Sequence, residues 1–237
     1  MSGLLSTAIS GLQASQHALR TAGHNISNAK TAGYTRQEVH YVTNGPQKLG
    51  TAGYLGHGVS TQSVERVVNE FVTAQVRLDT SAFHQLDKFS TNISKIDKLF
   101  ADSSTGLAGG LQSFFSALQN GADDPSALPA RQLIVTQAQS LAARFNQLQD
   151  RLTTVEASVT RETSAIADQI STLAQTIASL NKNIGEQTTS STGAGPNDLL
   201  DQRDEALRKL SELVSVNVSS QDGREMNVFI GNEIGRA

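Results

Sequence analysis

Cysteine is missing from the 237 residues, so disulfides, thiolate nucleophiles and cysteine-held metals are excluded together, and the redox compartment stays open. Concentrated charge is missing too. The formal net charge is −3 and the lysines and arginines are dispersed, which leaves no basic stripe for nucleic acid and no polybasic patch for an anionic membrane. No apolar run approaches the roughly 18 residues that span a bilayer, so membrane insertion is not expected. A secretory signal is also lacking, because the first basic residue is Arg20 and the stretch from Met1 to Leu19 is broken by Ser, Thr and Gln. Export, if it occurs, must use another route.

Catalytic patterns are equally scarce. The histidines at 17, 24, 40, 57 and 84 show no H-E-x-x-H spacing, and there is no G-x-S-x-G elbow. The glycines at 50, 53, 56 and 58 are not followed by the Gly-Lys-Ser/Thr of a phosphate cradle. Asp123 and Asp124 are adjacent in a turn. We expect no enzyme activity, no cofactor and no metal.

Glycine and proline are absent from two long stretches, and these organise the chain. From Ala130 to Ile184 a single helix would extend roughly 80 Å. Its apolar seam runs through Ile134, Ala138, Leu141, Phe145, Leu148, Leu152, Val155 and Val159, then through Ile166, Ile170, Leu173, Ile177, Leu180 and Ile184. Thr163 carries the seam between the halves, a stutter that relaxes a left-handed supercoil. The stretch from Val59 to Thr105 repeats the pattern through Val64, Val68, Phe71, Gln75, Leu78, Ala82, Leu86, Phe89, Ile93, Ile96 and Phe100, with its own stutter between Ala82 and Leu86. Two rods with the same defect are suited to pack side by side. Propensity alone would not hold either in water, so both need partner helices.

From Leu4 to Asn28 a narrower stripe is formed by Leu5, Ile9, Leu12, Leu19 and Ile26, helped by Ala8 and Ala22. Gly11 and Gly23 each cost such a helix about 1 kcal/mol against Ala. We expect this segment to fray in an isolated copy and to order on binding. It ends in the string His24-Asn25-Ile26-Ser27-Asn28-Ala29-Lys30-Thr31-Ala32-Gly33-Tyr34-Thr35-Arg36-Gln37. Asn25 and Asn28 are suited to cap the helix end, and Gly33 supplies a turn that a Cβ would strain. The string resembles the N-terminal signature of bacterial flagellar axial proteins, N-I-A-N-x-x-T-x-G-Y, with Ser27 at a usual Ala and Ala32 where Pro is frequent. Its continuation through Arg36 and Gln37 is similar to the hook-associated protein 1 branch of that family.

Thr35 to Thr43 alternates Val39, Tyr41 and Thr43 as a strand does, and Asn44-Gly45-Pro46 closes it. Gly56-His57-Gly58-Val59 through Arg66, with Phe71 to Arg77, resembles the family's G-x-G-V strand leading to its first rod helix. Gly106 to Gly110 reads as a break, followed by a short helix of Leu111, Phe114, Phe115 and Leu118 that Gly121 ends. The run from Asp124 to Gln132 also resembles the hook-associated protein 1 branch. Gly185 to Pro196 reads as a linker, and then comes Leu199-Leu200-Asp201-Gln202-Arg203-Asp204. Here Asn197 suits an N-cap, Asp198 and Asp201 suit the helix dipole, and Asp204 with Arg208 and Glu205 with Lys209 are i,i+4 pairs. The string L-L-D-Q-R-D is similar to the same branch. Val214, Val216 and Val218, a turn at Asp222-Gly223, and Met226, Val228 and Ile230 read as a hairpin that is marginal alone.

The fold expected is mainly α, an elongated antiparallel helical bundle or coiled-coil rod, with a small β segment after the N-terminal helix and the start of a β domain at the far end. The divisions are 1–60, 61–214 and 215–237. The resemblance implies a secreted structural subunit of the flagellum that joins hook to filament. It would leave the cell through the flagellar type III export apparatus and assemble as a ring with copies of itself through Leu5, Ile9, Leu12, Leu19 and Ile26. Hook protein and the next hook-associated junction protein are the implied neighbours. In that family the N-terminal helix pairs with a C-terminal helix, and an export chaperone binds near the C-terminus. Neither region is in this sequence, which reads as a fragment ending in a β region. A rod or hook subunit is the nearer alternative, and a cytoplasmic coiled-coil scaffold the more distant one.

Overall fold

The computed structural model describes residues 2–48, 53–101, 106–190, 195–221 and 225–231. It is mainly α. In chain order the elements are α1 (Ser2–Ser27), β1 (Gln37–Thr43), β2 (Gln47–Lys48), β3 (Tyr54–Leu55), β4 (Val59–Arg66), α2 (Glu70–Ala101), α3 (Leu107–Asp123), α4 (Leu128–Ser190), α5 (Asn197–Ser211), β5 (Val216–Gln221) and β6 (Glu225–Ile230). The expected turn at Asp222-Gly223 and the expected loop glycine Gly50 lie outside the described residues.

Residue contacts divide the chain into two units, 1–82 with 170–237 and 83–169, and the division passes through α2 and α4. This differs from a division at 60 and 214. One reason is that Val59–Arg66 is strand β4, as the G-x-G-V resemblance implies and against the helical period, antiparallel to β1 with Val39 opposite Val64. Val64 and Val68 fit the three-four pattern by coincidence. The helix begins only after Asn69, whose Oδ1 accepts the Val72 N–H at 3.2 Å as an N-cap does. The other reason is that β5 and β6 do not form a separate body.

In the unit 83–169, α3 runs antiparallel to α4 at close range. A Cβ on Gly110 would lie 2.8 Å from Arg144 Cδ, and one on Gly121 would lie 2.5 Å from Ile134 Cδ1. The glycines read as breaks are therefore inside α3, where they let the two helices approach. Lys88 Nζ of α2 donates to Glu162 Oε1 of α4 at 2.7 Å. This hydrogen bond is the main reason that the Lys88 pKa is raised and the Glu162 pKa lowered. At the α4 stutter Glu162 is thus the half-buried residue and Thr163 is exposed, the reverse of the expected seam. The α2 seam is also corrected. Leu86 is 68% and Phe89 65% exposed, so the apolar stripe of α2 is not covered by α3 or α4. Periodicity shows which side of a helix needs a cover, and not where the cover comes from.

In the other unit, Ile177, Ala206, Leu207, Leu210 and Val216 form a buried cluster, flanked by Ile170, Leu173, Val218, Met226 and Val228. The β5–β6 hairpin, with Val216 opposite Ile230 and Val218 opposite Val228, lays one face on α4 and α5 and is stabilised there. Helix α4 continues past Gly185 to Ser190. One glycine costs about 1 kcal/mol, and the buried Ile177, Leu180 and Ile184 hold the preceding turns. Leu207 is 0% exposed. Leu207→Ala is expected to cost about 2–5 kcal/mol, read as a lower midpoint in denaturant unfolding; a change below about 1 kcal/mol would mean that this cluster is not the core.

Candidate functional site

Helix α1 has two faces of opposite character. Leu5, Leu12, Leu19 and Ile26 recur every seventh residue, as do Ala8, Ser15 and Ala22 three residues after the first three, and all seven are exposed. Ile9 is exposed beside them. This is a heptad seam of alternating large and small side chains with nothing seated on it among the described residues. The other face is small and polar, and it is packed. Tyr41 Oη donates to the Ala14 carbonyl at 3.1 Å, and the Val59 N–H donates to Ser10 Oγ at 3.2 Å. Gly58 has a positive φ of 89°, and a Cβ there would run into Ser10 Oγ. The helix expected to fray is thus held on the β1–β4 hairpin by its polar side.

At the end of α1, Asn28 Nδ2 donates to the His24 carbonyl at 3.1 Å, and Thr31 Oγ1 donates to Asn28 Oδ1 at 3.3 Å. Asn25 does something other than cap. Its Oδ1 accepts the Tyr34 hydroxyl at 2.7 Å and the Gln37 N–H at 2.9 Å, while its Nδ2 donates to the Gln37 carbonyl at 2.9 Å. One amide therefore closes the chain reversal between α1 and β1.

The two signature segments meet across 135 residues and more. Arg66 Nη1 at the end of β4 donates to Asp201 Oδ1 and Asp204 Oδ2, both at 2.8 Å, and the Thr35 N–H donates to Asp201 Oδ2 at 3.0 Å. Gln37 Nε2 donates to Asp198 Oδ1 at 3.3 Å, and His24 Nε2 lies 3.5 Å from the same oxygen. Asn197 Nδ2 donates to the Val64 carbonyl at 2.8 Å instead of capping α5. Gly33, at φ 78°, lies so close to α5 that a Cβ would stand 2.8 Å from Glu205 Cβ. The opposite side of α5 faces the apolar cluster: buried Arg203 donates to Asn181 Oδ1 at 3.1 Å, and Asn181 Nδ2 donates to the Met226 carbonyl at 2.9 Å. Leu199 and Leu200 are half-buried, and Gln202 is exposed. Arg36 is exposed and lies 3.8 Å from Glu38, outside this arrangement.

One expected pair is corrected here. Asp204 pairs with Arg66, not with Arg208, which binds Glu205 and Glu212. Arg66, the centre of the cluster, was not singled out by sequence reasoning. The usable signal was Asp201 and Asp204, three apart on one helix face, which call for a cation from elsewhere. Burial, then the charges of Asp198 and Asp201, push the Tyr34 pKa up. Burial pushes the Arg203 pKa down, with Asp204 opposing and Arg66 reinforcing. Two clefts of about 690 and 260 Å³ border the cluster, but the acids lining them, Asp198, Asp201 and Glu205, are engaged as described. No group of three or more His, Cys, Asp or Glu suited to a metal occurs among the described residues, and no helix there is long and apolar enough to cross a membrane.

The hydrogen bond from Arg208 is the largest cause that lowers the Glu205 pKa from its ordinary 4.5. A lowered acid adds stability above its unfolded pKa and loses it as pH falls through the folded value. Melting temperature is therefore expected to drop on acidification below pH 4.5, and Glu205→Gln should flatten that part of the profile. An unaltered profile in the variant would show that this pairing contributes nothing.

Known proteins place these features together. The family model described as flagellar hook-associated protein FlgK helical domain matches residues 93–235, and that for flagella basal body rod protein matches residues 5–35. Flagellar hook-associated protein 1 of Salmonella typhimurium is 39% identical over 98% of this chain and 42% of its own length. The protein of the same name from Escherichia coli is 38% identical over 98% of this chain and 42% of its own length. That from Bacillus subtilis is 33% identical over 91% and 43%. The structure of the flagellar hook junction protein FlgK from Burkholderia pseudomallei aligns with a TM-score of 0.60 at 27% identity, covering 66% of this chain and 27% of that one. The chain thus spans less than half the length of the curated relatives it matches. With a helical-domain match over more than half of the sequence, and with relatives of one name along nearly all of it, the chain belongs to the flagellar hook-associated protein FlgK family.

Proposed function

We propose that this chain is a structural, non-enzymatic subunit of the bacterial flagellum that joins hook to filament, with α1 as its assembly helix. The observation that carries the reading is the exposed heptad seam of α1. Leu5, Leu12, Leu19 and Ile26, with Ile9 beside them, face outward while the polar side of the same helix is docked, so a partner helix can seat without displacing anything. Burying four such side chains gives roughly 6–12 kcal/mol before the cost of association is subtracted. The small residues at 8, 15 and 22 let that partner come close.

The partners proposed are copies of this chain in a ring, hook protein, and the next hook-associated junction protein. Export would use the flagellar type III apparatus with an export chaperone, and the product would be secreted to the hook–filament junction. The chain up to the end of β4 at Arg66 would serve as the axial segment, and α2, α3 and α4 as the rod. The match of residues 5–35 to a basal body rod family favours a second reading, a rod subunit. Against it stands the helical-domain match at 93–235.

Leu12→Asp together with Leu19→Asp is expected to abolish junction formation and swimming. The purified chain should keep its helicity and melt within about 0.5 kcal/mol of the parent, since both side chains are exposed. Normal swimming would overturn the reading, and complementation of a rod-deficient strain in place of a junction-deficient one would establish the alternative.

A further inference from the structure

Between residue 2 and Arg66 the chain has almost no core of its own. Among the described residues Ala14 is the one buried apolar side chain in that stretch, and the other two buried residues, Gln37 and Ser63, are polar. Its secondary structure is a helix with an exposed apolar seam, a paired β1–β4 ribbon and the two-residue strands β2 and β3. A two-stranded ribbon is marginal by itself in water, and a helix lying on it adds little if no apolar surface is shared.

The order of this stretch must therefore come from what it touches. That is α5, through Arg66, Thr35, Gln37 and Asn197, and through the close approach of Gly33 to Glu205. Helix α5 does not need the favour returned. Its own anchors, Ala206, Leu207 and Leu210, belong to the apolar cluster with Ile177 and Val216.

We infer that α5 is a one-way clasp: α1 and β1–β4 stay ordered only while Asp198, Asp201 and Asp204 hold them, whereas α5 stays seated on α4 and the β5–β6 hairpin without them. The presentation of the N-terminal helix is then controlled by an element more than 130 residues downstream in the chain. Arg66 and Asp201 have side chains only 13% and 8% exposed, so removing Arg66 leaves a nearly buried carboxylate to the Thr35 N–H, and removing the Asp201 charge leaves a nearly buried guanidinium to Asp204. Asp204 and the Thr35 amide are tied to the same pair, so the loss is not confined to one bond.

Amide hydrogen exchange on the 237-residue chain tests this. Arg66→Met and Asp201→Asn are each expected to speed exchange over residues 34–48 and 53–66 by roughly tenfold or more, with residues 170–184 and 206–218 unchanged. Arg66→Lys, which keeps the charge but loses the planar guanidinium, should fall between. Leu207→Ala should loosen both regions, because the clasp then loses its own seat. Unchanged exchange at 34–66 in the Arg66 and Asp201 variants would overturn the inference, and so would equal loosening of 206–218. Either failure would leave the assembly reading, tested by swimming, untouched.

Discussion

Arg66 sits at the end of a strand in a segment that has little apolar surface to bury, and two carboxylates one helical turn apart receive it. The geometry of residues 24–66 follows from that contact. One guanidinium nitrogen, Nη1, shared between Asp201 and Asp204 at 2.8 Å each sets the distance of the end of β4 from α5. The Thr35 N–H on the second oxygen of Asp201 then fixes where β1 begins, and Asn25 ties α1 to Gln37 two residues later. A buried ion pair is not by itself a strong source of stability compared with apolar packing. Its effect here is directional, because a ribbon with little apolar surface to share would otherwise have no preferred seat.

Polar contacts are thus used inside, and apolar residues are left outside. The seam of α1 and the stripe of Leu86 and Phe89 on α2 are large side chains that the described residues do not cover. Exposed apolar surface on this scale marks interaction sites more than it marks a finished monomer. For α1 the proposed junction assembly supplies the cover. The Gly58 and Gly33 approaches matter for the same reason, since they set α1 and the following turn tightly against β4 and α5 and leave the seam on the free side.

Much of the architecture was legible in local pattern. Helix α4 follows from 55 residues without glycine or proline and from a seam whose Ile177, Leu180 and Ile184 are buried as read. The β5–β6 hairpin follows from alternation of Val216, Val218, Met226 and Val228. Pattern failed where the partner is distant in sequence. Val64 satisfied a helical period yet pairs with Val39 in a ribbon, and the seam of α2 was real but not directed at α4. The strings 24–37 and 197–204 were each visible, but that they touch was not, since no local period encodes a contact between Arg66 and Asp201. Asp204 had a plausible local partner in Arg208 and took the remote one.

The central claim is that the Arg66–Asp201 contact holds the N-terminal segment in place. The three tyrosines, at 34, 41 and 54, all lie in that segment, so tyrosine fluorescence during denaturant unfolding reports on it. A double-mutant cycle with Arg66→Met and Asp201→Asn, followed by that signal, is predicted to give a coupling of roughly 2 kcal/mol or more. A coupling below about 0.5 kcal/mol, with the two single losses simply adding, would contradict the account.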